Sequence, residues 1–155
     1  MMKKELSILI VLALIILSCS PDDHESTVQL NQKIKAKTFE ISAPSGWKLV
    51  EGEGIDTYIG RIENDRLSIL FDQGYLSFGT LANIDETEET TFFQRLEING
   101  VPAIIRKENQ PIYAAAHTTL SVYLDNGTKQ NMLYVLDSED DAFFITLFKT
   151  HKFLD

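Results

Sequence analysis

The stretch Phe92-Phe-Gln-Arg-Leu-Glu-Ile98, then Asn99-Gly100, then Val101-Pro-Ala-Ile-Ile105 decides the fold class. Phe92, Leu96 and Ile98 occupy one phase of a two-residue alternation, with Phe93, Arg95 and Glu97 in the other. Such a period puts one set on each face of a β-strand. Asn-Gly tolerates positive φ at both central positions of a type I′ turn, whose twist matches the strands it joins. Val101, Ala103 and Ile105 then resume the alternation, so the stretch is a tight antiparallel hairpin.

The same pattern repeats on both sides. Leu120, Val122 and Leu124 run into Asp125-Asn126-Gly127, and Met132, Tyr134 and Leu136 follow. Upstream, Ile55 to Ile62 and Arg66 to Asp72 flank an Asn64-Asp65 turn, with Leu67, Ile69 and Phe71 in one phase. Phe39, Ile41 and Ala43 alternate with Thr38, Glu40 and Ser42 until Pro44-Ser45-Gly46 breaks the run, and Trp47 to Val50 reads as a short second strand. Three hairpins predict an antiparallel sheet with one wet face. Ala82 to Glu89 is acidic and lacks an apolar face, which predicts a loop or one short helix. Ser138 to Thr150 is the main helical candidate. Ser138 and Asp141 resemble a capping box, the acids at 139–141 suit a helix start, and Phe144, Leu147, Phe148 and His151 recur at helical spacing. Phe143, Ile145 and Leu147 also alternate, so a final strand stays open. The expected fold class is α+β: an antiparallel sheet of hairpins with a C-terminal helix packed on one face.

The N-terminus reads differently. Lys3 and Lys4 precede an uncharged run, Leu6 to Leu17, of twelve residues. A positive start followed by a short apolar segment is the form of a secretory signal peptide, and a spanning helix needs about 20 residues. Ile16-Leu17-Ser18-Cys19 resembles the lipobox of bacterial lipoproteins, with Ile16 where that family usually has Leu. The resemblance implies cleavage before Cys19 and acylation of its thiol, and several acyl chains give lasting attachment. Ser20 stands where an Asp would favour inner-membrane retention, and Asp22, Asp23 and Glu25 resemble the surface-export signals of Bacteroidetes lipoproteins. The expectation is an outer-membrane lipoprotein facing the periplasm or the cell surface. Residues 1–18 are then the signal, 19–36 the lipidated cysteine and a polar tether, and 37–155 one globular domain. A tether of that kind has an r.m.s. span of about 22 Å.

Within the domain, Phe39-Glu-Ile-Ser-Ala-Pro-Ser-Gly-Trp47 resembles the strand, Pro, Gly-Trp opening of PsbP-like domains. Leu147-Phe-Lys-Thr-His-Lys-Phe153 is similar to their terminal helix, with His151 where Ile is usual. Gly54 to Gly60 and Ile69 to Tyr75 resemble segments of uncharacterised bacterial envelope proteins of that shape. The resemblance spans most of Lys37 to Asp155 and implies helices packed on an antiparallel sheet. It carries over no catalytic residues, since that group is chiefly known for accessory and binding roles.

Composition narrows the chemistry. Fourteen Lys and Arg stand against 23 Asp and Glu, a net charge of −9, which excludes a basic nucleic-acid-binding stripe. A hydrophobic fraction of 44% excludes a disordered chain, and one cysteine excludes a disulfide framework and a Cys-rich zinc site. His24, His117 and His151 show no metal-ligand spacing. Neither the 85–89 nor the 137–141 acidic cluster has EF-hand spacing; they read as a solvated loop and a charged helix start. There is no nucleophile elbow and no phosphate-binding glycine loop. No metal and no cofactor are expected.

One set of residues stands out. Asp56 begins one strand of a hairpin and Asp72 ends its partner, so an antiparallel register brings both to one sheet end, flanked by Tyr58 and Tyr75. A carboxylate pair beside aromatics suits a polar ligand or a sugar, or proton exchange between acid and base. Turn-capping by the two Asp side chains is the plainer role. The leading expectation is a non-enzymatic, lipid-anchored envelope module whose partner is an envelope protein or a glycan. A tethered hydrolase or carbohydrate-active enzyme using the carboxylate pair is the alternative, and a purely structural lipoprotein a third.

Overall fold

The computed structural model describes residues 29–74, 77–112 and 115–155. Among the described residues, ten strands form two antiparallel sheets. The larger has seven: β3 (Lys48–Glu51), β4 (Tyr58–Glu63), β5 (Ser68–Gln73), β9 (Gln130–Leu136), β8 (Ala115–Asp125), β7 (Val101–Ile112) and β6 (Thr90–Ile98), in that spatial order. The smaller joins β1 (Gln32–Lys35), β2 (Phe39–Ala43) and β10 (Lys152–Phe153), with β2 in the centre. One α-helix among the described residues, α1 (Asp141–Phe148), precedes β10. The architecture is mainly β, where the sequence pattern led us to expect a more balanced α+β domain.

The hairpins form where the alternation places them. Asn99 and Gly100 take φ of 50° and 81° at the β6–β7 turn, as a type I′ turn requires. Asn64 closes the β4–β5 turn by accepting the backbone N–H groups of Arg66 and Leu67 through its Oδ1. In β5 the phase is plain: Ile69, Phe71 and Gln73 are buried, whereas Ser68, Leu70 and Asp72 are half-buried on the opposite face. The buried phase of the large sheet packs on Phe39 and Ile41 of β2 and on Phe144, Leu147 and Phe148 of α1. Phe39 meets Phe71 edge-on, with ring centroids 5.2 Å apart.

Three expectations change. The helix is shorter than residues 138–150. Asp140, not Ser138, caps it by accepting the Phe143 N–H at 3.0 Å, because Asp137 turns the chain with φ of 50°. At the other end the chain leaves the helix so that Lys152 and Phe153 pair with Glu40 and Phe39 of β2. The folded part also begins before residue 37, inside the 19–36 stretch expected as a polar tether. Gln32–Lys35 is a strand on β2, and Ile34 and Ala36 are buried. A four-residue strand with one core side chain is too short to show periodicity.

The connection from β5 to β6 runs from mid-sheet to its far edge. Residues 77–89 carry it over the outer face, through one 3-10 turn at Leu81–Asn83. Ile84 packs there with Ile104 and Tyr123, supported by Phe78, Leu81, Phe93 and Met132. Arg95 fastens this strap: its guanidinium donates to the carbonyls of Leu81 and Ile84 and pairs with Asp85 at 2.9 Å. The inner face is thus closed by the small sheet and helix, and part of the outer face by the strap. No helix among the described residues is long and apolar enough to cross a membrane.

Two closely packed positions give tests. A Cβ on Gly60 would stand 2.6 Å from Phe71 Cζ and 2.6 Å from the Val50 carbonyl oxygen. Gly60→Ala should therefore cost about 1–3 kcal/mol by overpacking, read as a lower urea midpoint; an unchanged midpoint means the Phe71 ring yields freely. His151 is 1% exposed, and its Nε2 accepts from the Asn131 amide at 3.0 Å. Burial pushes its pKa down to about 3. The folded chain then refuses a proton that the unfolded chain takes near pH 6.5, so this stability is complete above that pH and is lost as pH falls toward 3. Denaturation midpoints should drop by the equivalent of roughly 2–3 kcal/mol between pH 7 and 4.5. His151→Gln should flatten that profile; an unaltered slope would assign the loss to other groups.

Candidate functional site

One end of the sandwich opens into a cavity of about 340 Å³, lined by Thr38, Tyr58, Gln73, Gly74, Asp125, Lys129 and Gln130 among others. The lining residues come from strand ends and from the β8–β9 loop. Tyr58 opens β4 and Gln73 closes β5, directly opposite in register. Asp125 closes β8 and Gln130 opens β9, again opposite each other. Thr38 immediately precedes β2, so the cavity lies where the small sheet meets the ends of the large one.

Two glutamines border it from opposite faces of the large sheet, because Gln73 pairs in register with Asn131, one position from Gln130. Gln73 continues the buried phase of Ile69 and Phe71 and is 8% exposed, and the Thr38 hydroxyl donates to its Oε1. Gln130 is 7% exposed, and its amide nitrogen donates to the Gly79 carbonyl at 2.7 Å and to Asp125 Oδ2 at 2.8 Å. Its Oε1 is buried without a partner. The other oxygen of Asp125 accepts the Gly127 N–H at 2.7 Å. Lys129 donates to the Leu154 carbonyl, tying the β8–β9 loop to the C-terminal strand. Tyr58 gives the cavity its aromatic side. Its hydroxyl donates to Glu51 Oε1 at 2.6 Å, and the Lys37 ammonium lies 4.7 Å from its ring centroid. Burial, then the bond to Glu51, pushes the Tyr58 pKa up to about 12.

A second, wider groove of about 800 Å³ runs between the β5 and β9 ends and the start of α1. Leu67, Leu70, Leu136 and Phe143 form its floor, and Asp137, Glu139 and Asp140 its rim. Asp137 pairs with His117 at 2.6 Å, and this contact holds its carboxyl below the usual range. Among the described residues, no three His, Cys, Asp or Glu side chains come close enough together to hold a metal ion.

The residues singled out by sequence separate. Tyr58 lines the end cavity. Asp56 is exposed in the connection between β3 and β4. Asp72 lies opposite Ile59 and Met132 on the outer face, one strand position out of phase with Gln73 and thus on the far side from Tyr58. Its Oδ1 is buried without a partner, and its charge contributes, after burial, to raising the Tyr134 pKa. Neither carboxylate lines the two cavities described above. Tyr75 and Cys19 lie outside the described residues. Gln73, Gln130 and Thr38 were not singled out by the sequence. The usable signal was Gln73, an amide that takes the apolar phase of a strand after Ile69 and Phe71.

No protein-family model matches the sequence, and no curated protein is similar to it. Among solved structures, the chain is similar to cyanobacterial PsbP (CyanoP) from Synechocystis sp. PCC 6803. The TM-score is 0.59 at 12% identity, over 88% of this chain and 98% of that one. The fold is therefore PsbP-like. A crystal structure from Bacteroides thetaiotaomicron VPI-5482 gives a TM-score of 0.45 at 10% identity, covering 76% of this chain and 45% of that one.

The Tyr58 environment can be titrated. Glu51→Gln removes the smaller cause of its raised pKa and leaves burial, so the Tyr58 phenol should titrate below about 12 but still above 10. Carbon-13 NMR of labelled tyrosine ring carbons through alkaline pH checks this, and a titration unchanged from the parent chain would deny the Glu51 contact.

Proposed function

We propose that this chain is a lipid-anchored module of the cell envelope that binds a partner and performs no chemistry on it. Support for the anchor comes from the Cys19 segment, which resembles a lipobox. Support for a binding role comes from the end cavity. Its one carboxylate, Asp125, already accepts from Gln130 and Gly127. Its phenol is held protonated up to about pH 12. A phenol so held is not available as a general base near neutral pH.

That cavity chemistry is the observation that carries the reading. The enzyme alternative relied on Asp56 and Asp72 acting together beside Tyr58, and Asp72 faces away from Tyr58 across the sheet. The partner is an envelope protein or glycan at the outer membrane, met by a folded domain on a short acidic leader.

Two measurements test the proposal. Cys19→Ala should move the chain from the membrane fraction to the soluble fraction, and unchanged membrane association would reject the anchor. In-cell crosslinking with mass-spectrometric identification should recover envelope neighbours. Turnover of a glycan or ester by the purified chain would overturn the non-enzymatic part.

A further inference from the structure

We propose that the groove between β5, β9 and the start of α1 docks an extended peptide segment of a partner protein, a short continuous apolar run flanked by Lys or Arg. The inference goes beyond the binding role above, because this surface shares no lining residue with the end cavity and takes a different kind of occupant.

The groove exists because the large sheet splits. β5 and β9 pair only from Leu70–Tyr134 to Gln73–Asn131. Before Leu70, Ser68 and Ile69 still pair with Glu63 and Ile62 of β4, while Val135 and Leu136 still pair with Leu120 and Thr119 of β8. Both strands therefore continue, and only the ladder between them stops. The side to which main-chain groups bond alternates along an antiparallel strand. Leu67 bonds toward β4, accepting the Asn64 N–H, so Ser68 turns its main-chain groups toward β9. The Asp137 N–H bonds to the Thr118 carbonyl on the β8 side, so Leu136 turns its own groups toward β5. The opening is thus edged on both sides by strand positions that the β5–β9 ladder does not use. Edges of this kind take up an added strand.

The side chains specify the peptide. The groove lies between two strands rather than on one face, so both phases line it: Leu67 and Val135 from the core phase, Leu70 and Leu136 from the outer one. A strand entering there meets apolar surface on both of its faces, which selects a continuous apolar run instead of an alternating one. Leu67 and Leu136 are 41% and 40% exposed, two of the four exposed large hydrophobic side chains among the described residues. An apolar patch rimmed by polar groups marks an interaction surface. The rim carries Asp137, Glu139 and Asp140 against Arg66 alone. Three carboxylates facing one guanidinium favour cationic flanks and disfavour an anionic lipid headgroup. A second copy of this chain, with its net charge of −9, is disfavoured for the same reason.

The test uses the full-length chain in neutral phosphatidylcholine nanodiscs, with empty nanodiscs as the blank. Rhodamine-labelled peptides KVLVLK, EVLVLE and KSGSGK are the probes, read by fluorescence anisotropy. KVLVLK should bind in the micromolar range and weaken as salt rises from about 50 to about 500 mM. The other two should bind about tenfold more weakly or less. Leu136→Lys puts a cation on the floor at a position already 40% exposed, so KVLVLK binding should fall about tenfold with the denaturation midpoint unchanged. Glu139→Lys reverses one exposed rim charge and should weaken KVLVLK about threefold while strengthening EVLVLE. Hydrogen exchange reads the strand insertion itself: the Ser68 and Leu136 amides should gain protection when KVLVLK is bound. Absence of KVLVLK binding, equal binding of the three peptides, or binding that survives Leu136→Lys overturns the proposal. So does unchanged exchange at both amides. Dimerisation that Leu136→Lys abolishes, without peptide binding, would assign the groove to a second copy of the chain instead.

Discussion

The structure depends on one ring. Phe39, fully buried at the start of β2, stands edge-on to Phe71 of the large sheet and stacks on His151 at a centroid distance of 5.2 Å. It also pairs in register with Phe153 of β10. A seven-stranded antiparallel sheet cannot leave both faces in water when one carries Ile62, Ile69, Phe71 and Leu133. Phe39 is where the small sheet, the large sheet and the C-terminal segment close over that face together. The neighbouring Asn131–His151 hydrogen bond links the large sheet to the C-terminal segment with a polar contact inside the core. A buried polar pair of this kind favours one arrangement of the layers, because any slip would leave both groups unpaired.

The end cavity follows from that closure. Thr38 is the residue before Phe39, and Gln73 lies two residues beyond Phe71 in the same phase. Docking the two phenylalanines brings the Thr38 hydroxyl to the Gln73 amide and leaves space between them and the β8–β9 loop. Lys129, fastened to Leu154, and the Leu154 N–H, donated to the Thr38 carbonyl, complete the rim. The polar site is thus an outcome of how the apolar core is sealed.

The similarity to CyanoP at 12% identity is a matter of shape. Strand order and two-layer closure survive such divergence because they rest on which phase of each strand is apolar, and many residues satisfy that. A ligand site rests on particular polar atoms at strand ends, where little in the packing constrains them. The wall of Gln73, Gln130 and Asp125 therefore has to be read from this chain alone.

The sequence by itself determined the hairpins, their turns and the antiparallel class. Asn99-Gly100 and the alternation of Leu120, Val122 and Leu124 act locally, through φ angles and a two-residue period. Tertiary structure decided the rest, for identifiable reasons. The helix gave up its last turn because His151 and Phe153 gain more by packing on Phe39. β1 became a strand because β2 offered an edge to it. Asp72 parted from Tyr58 because adjacent register positions point to opposite faces, which nearness in sequence cannot reveal. The end of β5 meets the start of β9 because β9 enters the sheet beside β5, some sixty residues later in the chain. Only long-range strand order could bring those two strand ends to one cavity.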